Sequence, residues 1–400
     1  MELPRVLPSL PAHTRVALVH DWLPVRGGAE RVLEGLLGVL PQSDLFTLVD
    51  FLSEEDRAFL GGRPVATSFL QRMPMARRAY RHFLPLAPLA VEGFDFTDYD
   101  LVVSSSYVVA KGALTTADQL HVSYVHSPVR YAWDLQFEYL RSAGYERGLR
   151  RALARAVFHY LRVYDAASAN RVDVFVANSH HVARRVWKTY RRRAAVVHPP
   201  VDLDTFSPVA GKDDYYVTAG RLVPYKRVDL LVEAFNGTPE RELVVIGDGP
   251  ERARLERLAG PNVRILGHQP EAALRHYLQR ARAFVFAAHE DFGIAPVEAQ
   301  ACGTPVIAYG RGGALETVVP GVSGLFFEEQ SATAVRVAVA EFERSRFETE
   351  RVRASAERFS AARFHARTAE VLGAAWAQHE RDGRIVDHDA FAAPILVTAP

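Results

Sequence analysis

Two cations and two carboxylates in the second half of the chain have the types and spacing to handle a phosphorylated ligand. Arg221 and Lys226 flank a proline in GRLVPYKRVD, directly after the strand-like run Tyr215 to Ala219. A guanidinium presents a planar fork to phosphate oxygens and an ammonium presents a point charge. From a loop and the turn after it, both can reach one diphosphate. Glu290 and Glu298, separated by seven residues, lie within HEDFGIAPVEAQACGTPVIA. The apolar run Phe284 to Ala288 before them has the length of a buried strand, and Pro296 suits the first turn of a helix. Glu298 is expected in that first turn, where a carboxylate complements the helix dipole. This strand, loop and helix start gathers the amides of Phe292, Gly293 and Ile294 beside the carboxylates, an arrangement that receives phosphate in open α/β sheets.

The elements that position these groups recur along the chain as short apolar runs alternating with helical patterns. In the first half, RVALVH at Arg15 to His20 predicts a strand, and Gly27-Gly28 opens a helix over Ala29 to Leu40. Paired glycines let backbone approach a ligand closely, but without G-x-G-x-x-G they form no dinucleotide fingerprint. Further strands are predicted at Leu45 to Val49, Leu101 to Ser104, His121 to Val125 and Asp173 to Asn178. His126 leaves one of them into HSPVRYAWD. In the second half, Glu242 to Ile246 runs into the turn GDGP, and Val263 to Leu266 into Gly267-His268. Arg311-Gly312-Gly313 follows the strand after Glu298 and offers further amides, and Arg336 to Trp376 reads as helix. Strands alternating with helices predict α/β architecture with mostly parallel, doubly wound sheets.

Four hundred residues with 48% hydrophobic content accommodate two domains. One cysteine, Cys302, excludes an internal disulfide and favours a reducing, cytoplasmic setting. The amino terminus, interrupted by Pro4, Pro8 and Pro11, has no signal-like apolar core, and no apolar run is long enough to span a bilayer. The first 200 residues hold 25 Lys and Arg against 19 Asp and Glu, while the remaining 200 hold 23 against 28. That contrast fits two domains with different partners and is too small to indicate nucleic acid. In FLQRMPMARRAYRHF, Arg72, Arg77, Arg78 and Arg81 alternate with apolar residues, the composition of a segment that lies on an anionic membrane surface. Asp202-Leu203-Asp204 has a metal-binding D-x-D spacing, but it sits in a proline-rich crossing between the halves and is read as an acidic turn.

Taken together, EDFGIAPVEAQACGTPVIA, the GRLVPYKRVD loop and the strand-GGAE-helix opening resemble the retaining GT-B glycosyltransferases of glycosyltransferase family 4. The resemblance implies two Rossmann-like domains facing across a cleft: an acceptor domain over 1–200 and a nucleotide-sugar domain over 201–376, whose last helix returns to the first. A tail over 377–400 is expected to lack order. It implies a hexosyltransferase that uses a nucleotide sugar as co-substrate, with no bound cofactor and no metal. Arg221, Lys226, Glu290 and His126 would be catalytic. Donor binding would fall to Glu298, Phe292, Gly293, Ile294, Gly27, Gly28, Gly220 and His268. HSPVRYAWD and YGRGGALETV are similar to bacterial polysaccharide mannosyltransferases. This points to GDP-mannose, with a UDP-hexose as the alternative donor, and to a saccharide acceptor carried on a polyprenyl lipid at the inner membrane face. A nucleotide-sugar epimerase and a non-catalytic membrane scaffold are the competing classes.

Overall fold

Runs of valine, leucine and alanine bounded by glycine and proline form strands buried on both faces, as in parallel sheets covered by helices. The computed structural model describes residues 10–391 apart from 143, 146, 384 and 385. The chain divides into two units, Met1–Pro200 with Ala362–Pro400, and Val201–Ala361. The first unit holds β1 (Val16–His20), β2 (Asp44–Thr47), β3 (Val65–Thr67), β4 (Leu101–Ser106), β5 (Leu120–Val125), β6 (Val174–Ala177) and β7 (Ala194–Val196). They form one sheet in the order β3-β2-β1-β4-β5-β6-β7. The second unit holds β8 (Tyr215–Ala219), β9 (Glu242–Ile246), β10 (Val263–Gly267), β11 (Ala283–Phe286), β12 (Val306–Tyr309) and β13 (Gly324–Phe327), ordered β10-β9-β8-β11-β12-β13. All neighbouring strands run parallel. Strand order reverses between β1 and β4 and again between β8 and β11, and such switch points open crevices at the strands' carboxyl ends.

Each sheet is covered on both faces. On one face of the first, Leu33, Leu36 and Leu37 of the helix Gly28–Val39 pack with Phe364, Leu372 and Trp376 of the helix Ala361–Arg381. Gly35 permits that approach, because a Cβ there would stand 2.6 Å from the Phe364 ring. The region read as helix from Arg336 to Trp376 is three helices, Ala332–Arg344, Thr349–Ala356 and Ala361–Arg381, and only the last belongs to the first unit. Within the stretch expected to lack order, that helix continues to Arg381, and Val386 and Phe391 pack on the same core. Residues 384, 385 and 392–400 lie outside the described residues, as do residues 1–9 of the proline-bearing amino terminus.

Two buried polar clusters pin the first unit. The Asp21 carboxylate, just beyond β1, accepts hydrogen bonds from the amides of Tyr107, Val108, Val109 and Ala110 at 2.6, 2.8, 2.7 and 2.8 Å. Four charge-assisted bonds satisfy its oxygens and hold the loop after β4 at the switch point. Lys111 and Asp165 pair at 2.5 Å, with Ser168, Trp133 and Tyr190 supplying their remaining hydrogen bonds. The arginine-rich segment is not one helix. Pro74 and a left-handed Met75 (φ 56°) divide it into the turns Phe69–Arg72 and Tyr80–Leu86 around a short helix, Ala76–Ala79. Met73, Tyr80 and Phe83 pack inward, while Arg72, Arg77, Arg78 and Arg81 are exposed. Among the described residues no helix is long and apolar enough to cross a membrane.

Candidate active site

In the second unit Gly220, Lys226 and Glu290 come together at the β8/β11 switch point. Beyond β8 the chain turns at Gly220 (φ 145°), where a Cβ would stand 2.8 Å from Lys226 Nζ. The Gly247-Asp248-Gly249 turn backs this loop: Gly220 N donates to Ile246 O and Leu222 N to Asp248 O, each at 2.9 Å. Cβ atoms at Gly247 and Gly249 would collide with the carbonyls of Gly220 and Leu222, so only glycine lets the two turns stack. The turn Pro224–Lys226 then brings Lys226 Nζ to 3.0 Å from Glu290 Oε1, with both side chains mostly shielded from solvent. Gly220, Leu222, Lys226, Ile246, Phe286 and Ala288 line a crevice here. Arg221 is exposed and makes no ion pair among the described residues.

The loop after β11 presents main chain more than side chains. Phe292 is buried and packs edge-on against Phe359, ring centroids 5.3 Å apart, so only its backbone is available to a ligand. Gly293, at φ 86°, starts the helix Ile294–Ala301, whose first amides have no partner within the helix. Glu298 lies in the second turn and is buried, not in the first turn as its distance from Pro296 suggested. The dipole argument therefore does not apply to it. The Gly313 amide donates to the Glu290 carbonyl at 2.8 Å, so it braces the loop and offers nothing to a ligand. Cys302 is fully buried, and burial pushes its thiol up to about 12, which rules it out as a nucleophile at neutral pH. His268 is exposed beyond the edge strand β10, and no contact links it to the Lys226–Glu290 pair among the described residues.

Gly27, Gly28 and His126 belong to the first unit. Gly27 N donates to Glu30 Oε2 at 2.9 Å at the start of the helix Gly28–Val39. His126 follows β5, and its Nε2 lies 2.9 Å from Ser105 Oγ. Sequence reading passed over His20, Glu30 and Ser105, which the fold gathers beside His126. The available signal was polar residues, His20-Asp21 and Ser104-Ser105-Ser106, closing otherwise apolar strands. The D-x-D aspartate Asp202 is engaged locally, accepting from Asp204 N and Thr205 N at 3.0 and 2.9 Å.

Residues 203–359 match the family model described as Glycosyl transferases group 1, and residues 26–205 match Glycosyltransferase Family 4. Together the two glycosyltransferase models span residues 26–359. The chain is 34% identical over 187 residues to the D-inositol 3-phosphate glycosyltransferase of Xylanimonas cellulosilytica, covering 39% of this chain and 45% of the relative. It is 32% identical over 188 residues to the GDP-mannose-dependent monoacylated alpha-(1-6)-phosphatidylinositol monomannoside mannosyltransferase of Corynebacterium glutamicum, covering 39% and 49%. The chain thus spans about half the length of the curated relatives it matches. Anabaena HepE in complex with UDP and glucose superposes with a TM-score of 0.67 at 17% identity, covering 90% of this chain and 99% of that one. Sucrose-phosphate synthase from Thermosynechococcus elongatus gives 0.62 at 18%, covering 92% and 99%. These last two likenesses are of fold: the chain has the two Rossmann-like domains of the GT-B class.

Proposed function

We propose that the protein transfers a hexose from a nucleoside diphosphate sugar to a lipid-linked saccharide, with retention of configuration and GDP-mannose as donor. The observation that carries this reading is the Lys226–Glu290 pair at the β8/β11 switch point, beside Arg221 and the start of the helix Ile294–Ala301. As the glycosidic bond breaks, negative charge develops on the leaving diphosphate. In this reading Arg221, Lys226 and the amides near Phe292, Gly293 and Ile294 neutralise it, and preorganised charge of this kind lowers the barrier without reorganisation. Glu290, oriented by Lys226, accepts from sugar hydroxyls. Glu298 holds the ribose, and His126 contacts the transferred sugar. The leaving phosphate takes the acceptor proton. Arg221 and Lys226 supply the positive charge that a divalent ion provides in other transferases.

A UDP-hexose remains the second donor reading, favoured by the UDP and glucose held by Anabaena HepE. The first unit would hold the acceptor and dock on the cytoplasmic membrane face. Supporting this, Met75 and Leu89 are 76% and 61% exposed beside Arg77, Arg78 and Arg81. The helix Gly148–Ser168 adds exposed Leu149, Leu153, Tyr160 and Val163 at helical spacing, and its one carboxylate, Asp165, is buried against Lys111. An apolar stripe flanked by arginines and without exposed acid suits anionic lipid. A thermal-shift panel of GDP-mannose, UDP-glucose, UDP-galactose and UDP-GlcNAc tests the donor, since a ligand of the folded state raises its stability. Stabilisation by GDP-mannose alone is expected. Stabilisation by UDP sugars alone moves the assignment to them, and none at all refutes donor binding.

A further inference from the structure

Glu290 and Phe292, in the loop after β11, are each held from outside that loop, and both supports lead to the same two residues, Arg358 and Phe359. The first support is main chain. The Gly313 amide donates to the Glu290 carbonyl at 2.8 Å, and Gly313 opens the four-residue helix Ala314–Thr317. A helix of one turn is too short to hold itself, and its last carbonyls have no partners inside it. Arg358 supplies them: its Nη2 donates to Glu316 O at 2.6 Å and to Thr317 O at 3.4 Å. The second support is aromatic. The Phe292 ring packs edge-on against Phe359, and the Arg358 guanidinium carbon stands 4.6 Å over the centroid of that same Phe359 ring. Phe359 is buried with Val201, Phe206, Ala314 and Val318 in one core, and its carbonyl accepts from Val201 N at 2.8 Å. All of these residues lie in the second unit.

These contacts close a ring that runs from Glu290 through Gly313, the short helix, Arg358 and Phe359 to Phe292 and back along the loop. A closed ring constrains more than its separate contacts do. The loop cannot shift at Glu290 without straining the short helix, nor at Phe292 without leaving Phe359. A planar guanidinium suits the corner it occupies, because it donates in its own plane while its face stacks on an aromatic ring. Both of its hydrogen bonds end on main-chain carbonyls, so its charge meets the carboxyl end of a helix, where a cation is favoured. We propose that Arg358 and Phe359 are positioning residues that set the place of Glu290 and of the first amides of the helix Ile294–Ala301. That these groups serve transfer rests on the function proposed above; the bracing does not.

Hydrogen exchange in the full chain, without substrate, reads the brace at the amides of Gly313, Thr317 and Val318, which are bonded to the carbonyls of Glu290, Gly313 and Ala314. Arg358→Gln and Phe359→Leu should speed their exchange about tenfold, the worth of one charge-assisted hydrogen bond. Arg358→Lys, which keeps a charged donor for the carbonyls, should recover part of the loss. Phe342→Leu, an equal truncation on the opposite face of the same sheet, is the control and should leave these amides as they are. Unchanged exchange in folded Arg358→Gln, or equal acceleration in Phe342→Leu, overturns the proposal, and Arg358→Gln decides alone if Phe359→Leu fails to fold. In transfer assays Arg358→Gln should lower kcat about tenfold, a part of what a displacement of roughly 1 Å costs, with donor KM changed far less. Faster exchange with a lower unfolding temperature but wild-type kcat would show a brace that serves stability alone, and overturns the positioning role. Absence of transfer in the wild-type protein refutes the proposed function and leaves the exchange result to decide the brace.

Discussion

Replacing Gly313 with alanine tests whether the loop after β11 holds the donor. Gly313 has ordinary helical dihedrals (φ −65°, ψ −22°), so alanine meets no backbone penalty there. Its Cβ, however, would fall on the Cα of Phe292, 2.5 Å from the Phe292 carbonyl oxygen and 2.7 Å from that of Asp291. These are main-chain atoms that no rotamer change can move aside. Restoring ordinary contact at about 3.5 Å requires the loop to retreat by roughly 1 Å. Phe292 is anchored on Phe359, so the retreat is taken up at Glu290 and at the first amides of the helix Ile294–Ala301. Overpacking of this kind costs about 1–3 kcal/mol of stability. A displacement of roughly 1 Å at positioned groups costs about 100-fold in rate. Thermal unfolding and steady-state transfer with the stabilising donor would measure both. Gly93→Ala is the control, because its Cβ comes no closer than 3.4 Å to any neighbour. A folded Gly313→Ala protein with wild-type transfer would refute the assignment of this loop to the diphosphate.

Arg221→Ala and Lys226→Ala should each depress kcat by about 100- to 1,000-fold, as for other preorganised charge; wild-type rates in both remove the diphosphate assignment. EDTA should leave transfer unaffected, and a loss restored by Mg2+ or Mn2+ would show that the two cations do not suffice. Lys111→Met leaves Asp165 buried without its ammonium and should cost about 3–5 kcal/mol, read by urea denaturation, whereas a neutral result would show the pair to be dispensable. His121 is buried between Ser104 and the Arg171 carbonyl, and burial lowers its pKa to about 4. The unfolded chain binds that proton from about pH 6.5 downward and the folded chain does not. Stability should therefore fall by about 3 kcal/mol between pH 6.5 and 4 through this group. His121→Gln should flatten that part of the curve, and an unchanged slope would show that the group does not titrate as described.

The second-unit site was legible because its parts are local motifs. Strand, loop and helix from Phe284 to Ala301 are contiguous, and the glycine and proline that shape them stand in the sequence. Lys226 and Glu290 were each legible from their own loop, but their pairing at 3.0 Å comes only from the fold. The helix starts at Ile294, directly after the left-handed Gly293, and this puts Glu298 at its fifth residue, just past the first turn. β3 and β13 carry no clear signal: the former is three residues and not fully buried, the latter four residues beginning at a glycine. The grouping of His20, Glu30 and Ser105 beside His126 could not be read at all. Ser105 stands 85 residues from His20, and only the pairing of β1 with β4 brings them together.

The return of the helix Ala361–Arg381 to the first unit dictates an order of events during synthesis. The second unit is an uninterrupted segment and can close its core once residue 361 has left the ribosome. The earlier-made unit cannot, because Phe364, Leu372 and Trp376 of its core are still untranslated. The portion made first is thus completed last, and until then it exposes the leucines of its opening helix to chaperones and to aggregation.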